Sequence, residues 1–175
     1  MKSFELLLEI SKRYEKSKKE LPAKTDRQVL WTGLGFGLLE ERFVASMGEV
    51  VELMRVPNIT RLPGVKGFVL GVANVRGRLM TLIDLATFFG EKSRVPRSNR
   101  RVLVIDEEGG YFGFVIDESL GMQHFPQDGF SRQMGKVGSQ YRSYLLGSYR
   151  VGENLWPVLS LHTILADPKL EKLAA

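Results

Sequence analysis

His124 and His162 are the residues of this chain best suited to proton transfer or metal ligation, and neither has the company that such chemistry needs. A zinc site built from side chains takes three or four convergent ligands. No second ligand lies at helical or loop spacing from either histidine, and the chain has no cysteine. "GFSRQMGKV" (129–137) carries the glycines and lysine of a phosphate loop. It has five residues between Gly129 and Gly135 where that loop has four, and Val137 stands where a hydroxyl would hold a metal. "GLGFG" (33–37) lacks the last glycine of a dinucleotide loop, and no G-x-S-x-G elbow exists to present a serine. The neighbouring carboxylates Asp106 and Glu107 fall at a predicted hairpin turn, where exposure is the default. The expectation is a protein with no catalytic residues, no metal and no cofactor. One polar cluster remains. In "GVANVRGRLMTLIDL" (71–85), Asn74, Arg76 and Arg78 gather at the bend of an apolar hairpin. That composition suits contact with a partner better than chemistry.

The elements that position this bend are short. Residues 1–21 read as a helix with Phe4, Leu7, Leu8 and Tyr14 near one face, ended by Pro22. From Gln28 the pattern changes to strands. "VLWTGLGFGLL" puts Leu34, Phe36 and Leu38 on one face and Gly33, Gly35 and Gly37 on the other, a row that admits close approach by a neighbour. "RVLVID" and "YFGFVID" read as a hairpin across "EEGG", and "YLLGSYRV" and "LWPVLSL" as another across Gly152-Glu153-Asn154. "ATFFG" reads as a helical turn ending at Gly90. If Gly77-Arg78 makes the turn of the 71–85 hairpin, glycine first suits type II′. Arg76 then opposes Leu79, Val75 opposes Met80 and Ala73 opposes Leu82, with the last four on an interior face.

The second half of the chain echoes the first. Leu70, Gly71, Leu79, Leu82, Ile83, Leu85, Phe88 and Phe89 recur 76 residues on as Leu146, Gly147, Leu155, Val158, Leu159, Leu161, Ile164 and Leu165. Phe43-Val44 matches Phe114-Val115, and Val56-Pro57 matches Phe125-Pro126, at slightly shorter offsets. The expected architecture is all-β with minor helices: two small antiparallel barrels, about 28–92 and 101–166, behind an N-terminal helix and linker (1–27) and before a tail (167–175). Closure into barrels removes exposed edges.

The net charge of +5 is concentrated in "KSRVPRSNRR" (92–101). A charge run of this kind is ordinarily a solvated loop. The competing function is a small barrel that binds nucleic acid through this loop, although the loop has no aromatic for base stacking. No apolar run approaches the roughly 18 residues of a membrane helix, and the N-terminus does not read as a signal peptide.

"VPNITRLPGVKGFVLGVANVRGRLMTLIDLATFFG" (56–90) resembles the signature of CheW-like chemotaxis adaptors, with Gly71-Val72, Asn74, Arg76-Gly77 and Ile83-Asp84-Leu85 in place. The likeness covers roughly 28–166. The N-terminal extension resembles that of family members serving type IV pilus (twitching motility) chemosensory systems. The resemblance implies two intertwined five-stranded SH3-like barrels and a non-catalytic scaffold. It implies a cytoplasmic protein at membrane-associated receptor arrays, without direct membrane insertion and without nucleic acid. Its partners would be the cytoplasmic tip of a methyl-accepting chemoreceptor, the regulatory domain of a CheA-like histidine kinase and other CheW-like proteins. Contacts carry over to Val50, Glu52, Gly71, Asn74, Arg76 and Gly113. Ser119 departs from the valine usual in the family at that position.

Overall fold

The computed structural model describes residues 29–108 and 110–174; the helix expected within 1–21 lies outside them. Eleven strands form two sheets among the described residues. They are β1 (Leu30–Leu38), β2 (Glu41–Ser46), β3 (Glu52–Arg55), β4 (Val69–Val75), β5 (Arg78–Asp84), β6 (Arg101–Glu107), β7 (Gly110–Ile116), β8 (Glu118–Pro126), β9 (Phe130–Ser131), β10 (Leu145–Val151) and β11 (Asn154–Leu159). Short helices follow β5 (α1, Leu85–Phe88) and β11 (α2, Leu161–Leu165; α3, Pro168–Glu171). The larger sheet runs β8-β1-β2-β11-β10-β9 and the smaller β3-β6-β7-β5-β4.

These orders show how the repeat folds. By the sequence offsets, β1 and β2 correspond to β6 and β7, and β3, β4 and β5 correspond to β8, β10 and β11. Each sheet therefore takes a hairpin from one half of the chain and its other strands from the other half: β3, β4 and β5 in the smaller sheet, and β8, β9, β10 and β11 in the larger. The halves exchange their first hairpins, so the sheets do not divide at 92–101 as the sequential boundaries expected. Each exchanged hairpin meets the other half on both sides, in parallel on one (Val44 beside Val158, Leu82 beside Gly113) and antiparallel on the other (β1 with β8, β3 with β6). The remaining ladders are antiparallel, and four of them, β1–β2, β4–β5, β6–β7 and β10–β11, join consecutive strands across short connections, as hairpins require.

The exchange leaves three apolar clusters. The smaller sheet curls around Ala73, Val75, Met80, Leu82, Val102, Val104 and Val115. The larger curls around Val44, Phe125, Tyr149 and Val158, with Trp31 stacked on Tyr149 at 4.8 Å between ring centroids. The glycine row of β1 makes this possible: a Cβ at Gly33 would overlap Val44 and Trp31. The opposite faces of both sheets share the main core, which includes Phe36, Phe43, Ile83, Leu103, Phe114, Tyr141 and Leu159. The C-terminal segment belongs to this core too. Leu170 is buried in it, and Lys66 N–H donates to the Leu173 carbonyl (2.9 Å), so 167–174 is docked chain where a tail was expected.

Two devices recur in both halves. Gly71 and Gly147 each sit at a bulge with positive φ (137° and 152°). A Cβ at either would strike the carbonyl oxygen of Thr60 or Ser131, the backbone bridging to the next residue. Asp84 and Ser160, 76 residues apart, each cap the helix that follows, accepting from Thr87 N–H and Thr163 N–H.

The sheets are joined by a buried ion cluster that the sequence did not suggest. Arg100, counted above with the solvated basic loop, is buried. Its guanidinium makes a bidentate pair with Asp84 (3.0 and 2.9 Å) and approaches Asp117 Oδ1 (3.3 Å). Asp117 in turn accepts from Leu39 N–H in the β1–β2 turn (2.8 Å) and from Ser93 Oγ–H. No buried side-chain nitrogen or oxygen among the described residues lacks a partner. Removing one member of such a cluster strands the others without water, typically costing about 3–5 kcal/mol. Arg100→Ala is therefore expected to lower the unfolding free energy by about that amount in urea titration, whereas Arg97→Ala, exposed in the same loop, should stay within about 0.5 kcal/mol. In the C-terminal segment, Leu170→Ala should cost about 2–5 kcal/mol by the same titration.

Candidate partner-binding surface

The β4–β5 hairpin turns on Arg76 and Gly77, not on Gly77 and Arg78. Both have positive φ (53° and 77°), as a type I′ turn requires, and Val75 pairs with Arg78. The expected type II′ turn is thus corrected, and so is the register: Ala73 faces Met80 and Gly71 faces Leu82. The slip is two residues. Because side chains alternate with a period of two, the interior face keeps the same members. Arg76 occupies a conformation that non-glycine residues seldom adopt. Asn74 helps hold it there, its Oδ1 accepting from Gly77 N–H (3.0 Å).

The turn carries Arg76 out of the sheet and back over its seam. Its guanidinium pairs with Glu52 on β3, at the opposite edge of the curled smaller sheet, while the arginine side chain stays 73% exposed. Next to it, Arg78 makes a bidentate pair with Asp106 (2.6 and 2.9 Å) and lies over the Tyr111 ring at 4.3 Å. The hydrogen bond from Arg78 holds the Asp106 carboxyl below its ordinary range. Leu79, on the same hairpin, is exposed. The hairpin end therefore presents ordered arginines beside apolar surface, a composition enriched in binding hot spots.

Among the residues expected at the site, the structure brings together Glu52, Asn74 and Arg76. Val50 and Gly71 are buried. So is Gly113, where a Cβ would overlap Val102 and Leu82 inside the smaller sheet. Val50 packs in the main core, while Gly71 and Gly113 let neighbouring groups of the smaller sheet approach closely.

A second surface was not singled out from the sequence. The β1 face that carries Leu34 into the main core continues beyond it uncovered. Along this face, Leu30 lies opposite Pro126, Thr32 opposite His124, and Leu34 opposite Met122. Met47 joins by donating its N–H to the Thr32 carbonyl. Leu30, Met47 and Met122 are 52%, 37% and 58% exposed. The signal available in sequence was the alternation of "VLWTGLGFGLL", which fixes one apolar face but not how far the second sheet covers it.

No cluster of three metal-ligating groups occurs among the described residues. His124 Nδ1 is 2.9 Å from Thr32 Oγ1. His162 Nδ1 is 2.7 Å from Glu107 Oε1, tying α2 to the end of β6. Glu49 reaches the same helix start, accepting from Ser160 Oγ–H and from the Leu161 and His162 N–H groups. The basic loop keeps Lys92, Arg94 and Arg97 exposed but gives Arg100 to the interior, which weakens it as a nucleic-acid surface.

Comparison with known proteins fits this architecture. The family model described as a CheW-like domain matches residues 32–169. The chain belongs to the CheW-like family. It is 41% identical over 161 residues to Protein PilI of Pseudomonas aeruginosa, covering 92% of this chain and 90% of that protein. It is 30% identical over 92 residues to Chemotaxis protein CheW of Helicobacter pylori, covering 53% and 56%. The crystal structure of scaffolding protein TtCheW from Thermoanaerobacter tengcongensis superposes with a TM-score of 0.71 at 20% identity, over 84% of this chain and all of that one. CheW-like proteins are adaptors of chemotaxis-type signalling, and that is the general role of this chain. No helix among the described residues is long and apolar enough to cross a membrane.

The His162–Glu107 pair gives the fold a pH dependence of known sign. The hydrogen bond and charge of Glu107 raise the His162 pKa above its ordinary 6.5. Stability gained this way is fully present below about pH 6.5 and fades as pH rises through the folded-state value. Thermal melts of the wild type and of Glu107→Gln should differ more at pH 5.5 than at pH 8.5. An equal difference at both would remove the pair from the stability of the fold.

Proposed function

We propose that this protein is a non-catalytic adaptor that couples a methyl-accepting receptor to the regulatory domain of a CheA-like histidine kinase, in a chemosensory system controlling type IV pilus twitching motility. The observation that carries the reading is the uncovered β1–β8 face, where exposed Leu30, Met47 and Met122 surround the Thr32–His124 pair and run on into the core through Leu34. A helical receptor tip, which buries apolar residues at i, i+3, i+4 and i+7, suits such a face. The Arg76–Glu52 hairpin end, on the other sheet, serves a second partner at the same time. Two separate surfaces on one rigid scaffold are what a coupling protein needs. The 41% identity to PilI along most of both chains supports the pilus system. Such an adaptor works in the cytoplasm, held at receptor arrays by its partners.

Arg76 works by contact on this reading. Its pair with Glu52 is largely exposed, and exposed pairs contribute only about 0–1 kcal/mol. Arg76→Ala should therefore leave stability within about 1 kcal/mol. Truncating a hot-spot arginine typically costs over roughly 2 kcal/mol of binding, a loss of about thirtyfold in affinity. Calorimetric titration of the kinase regulatory domain and of the receptor tip against wild type and Arg76→Ala, with melts alongside, measures both. Unchanged affinity for both partners removes Arg76 from the site. Weakened binding with a collapsed melt makes it a residue of the fold instead.

A further inference from the structure

The uncovered face lies where the described chain begins. β1 starts at Leu30, itself one of the three exposed apolar residues of that face, and 28 residues precede the described chain. Those residues carry an apolar stripe, Phe4, Leu7, Leu8 and Tyr14, in a segment otherwise rich in lysine and glutamate. No described residue covers Leu30, Met47 or Met122 enough to exclude water. The extension is also not peculiar to this chain. The alignment with PilI spans 161 residues, while only 144 residues run from the start of the family match at 32 to the C-terminus, so at least 17 aligned positions precede residue 32.

We propose that the stripe Phe4, Leu7, Leu8 and Tyr14 packs on the Leu30–Met47–Met122 face and competes there with a helical partner. The tether between Tyr14 and Leu30 spans up to about 50 Å when extended, enough to reach across the face. Attachment through a tether of this length raises the effective concentration to about millimolar, so a weak apolar contact suffices to occupy the face. A partner helix must then displace the stripe. If the stripe covers the face nine-tenths of the time, the apparent affinity for that partner falls about tenfold. The regulatory half of this proposal rests on the receptor reading above; the packing half does not.

The absence of native cysteine makes the packing directly testable. The full chain carrying Leu8→Cys and Met122→Cys is oxidised with copper phenanthroline and resolved on a non-reducing gel. The control carries Leu8→Cys and Leu79→Cys, since Leu79 is equally exposed and apolar but lies on the other sheet. Packing on the face gives an intramolecular disulfide in the first protein well above the second. Equal yields in both, or cross-linked dimers only, overturn the proposal. The competition is read by titrating a helical hairpin corresponding to the receptor tip against the wild-type chain and against Leu7→Ser/Leu8→Ser. The substituted chain should bind about tenfold tighter. Equal affinities overturn the competition even where the disulfide forms. Binding by neither chain overturns the receptor reading, and the disulfide then decides the packing alone.

Discussion

The Arg100 guanidinium is the interaction on which the two-sheet arrangement turns. It holds one group of the smaller sheet and the residue through which the chain passes from that sheet to the other. Asp84 closes β5 and caps α1 in the smaller sheet. Asp117 is the single residue between β7 and β8, and therefore between the sheets. Through Leu39 N–H it also anchors the β1–β2 turn, whose two residues, Leu39 and Glu40, both have positive φ. Each such residue carries backbone strain of order 1–3 kcal/mol. The ion cluster holds that turn against its strain, and a whole domain is stable by only about 5–15 kcal/mol. A buried charge is stabilising only when fully partnered, and here every partner is in place.

The hairpin exchange explains why such a tie is needed. Neither half of the repeat completes a sheet alone, so the fold depends on contacts between residues far apart in the chain. Those contacts are the parallel and antiparallel ladders between the halves and a shared core, none of which a local turn enforces. The recurring devices, Gly71 with Gly147 and Asp84 with Ser160, show the two halves solving the same local problems in the same way. Their partners have diverged. Asp84 is paired with Arg100, whereas the start of α2 is served by the Glu49 carboxylate from the other half. The interior has diverged as well, with aliphatic residues filling the smaller sheet and stacked aromatic rings the larger.

A scaffold needs surfaces that stay open while its core stays rigid, and the two are kept apart here by burial. Arg76 is presented by a turn whose strain is supported by Asn74, and Gly71 and Gly113 support its sheet from within. A side chain at either glycine would disturb the packing of the sheet, whereas a change at Arg76 alters exposed surface and leaves that packing in place. The uncovered β1–β8 face follows the same logic, because it is the outer end of a strand whose inner end is fully buried.

The sequence by itself determined the hairpins, the duplicated pattern, the interior faces of the strands and the family. All of these depend on neighbours within about ten residues or on a constant offset, and such signals survive in one dimension. It named Arg76 and Glu52 together as contact residues only through the family resemblance, and the fold brought them into an ion pair. The tertiary structure decided which hairpin joined which sheet, because a strand's alternation names its buried face and not its neighbour. It decided that Arg76 sits in the turn, since a two-residue slip leaves every face unchanged and so leaves no trace in the pattern. It decided that Arg100 is buried, because an arginine in a basic run is distinguished only by the two distant carboxylates that meet it. It also brought the C-terminal residues into the core, where Leu170 fills space that only the assembled sheets create.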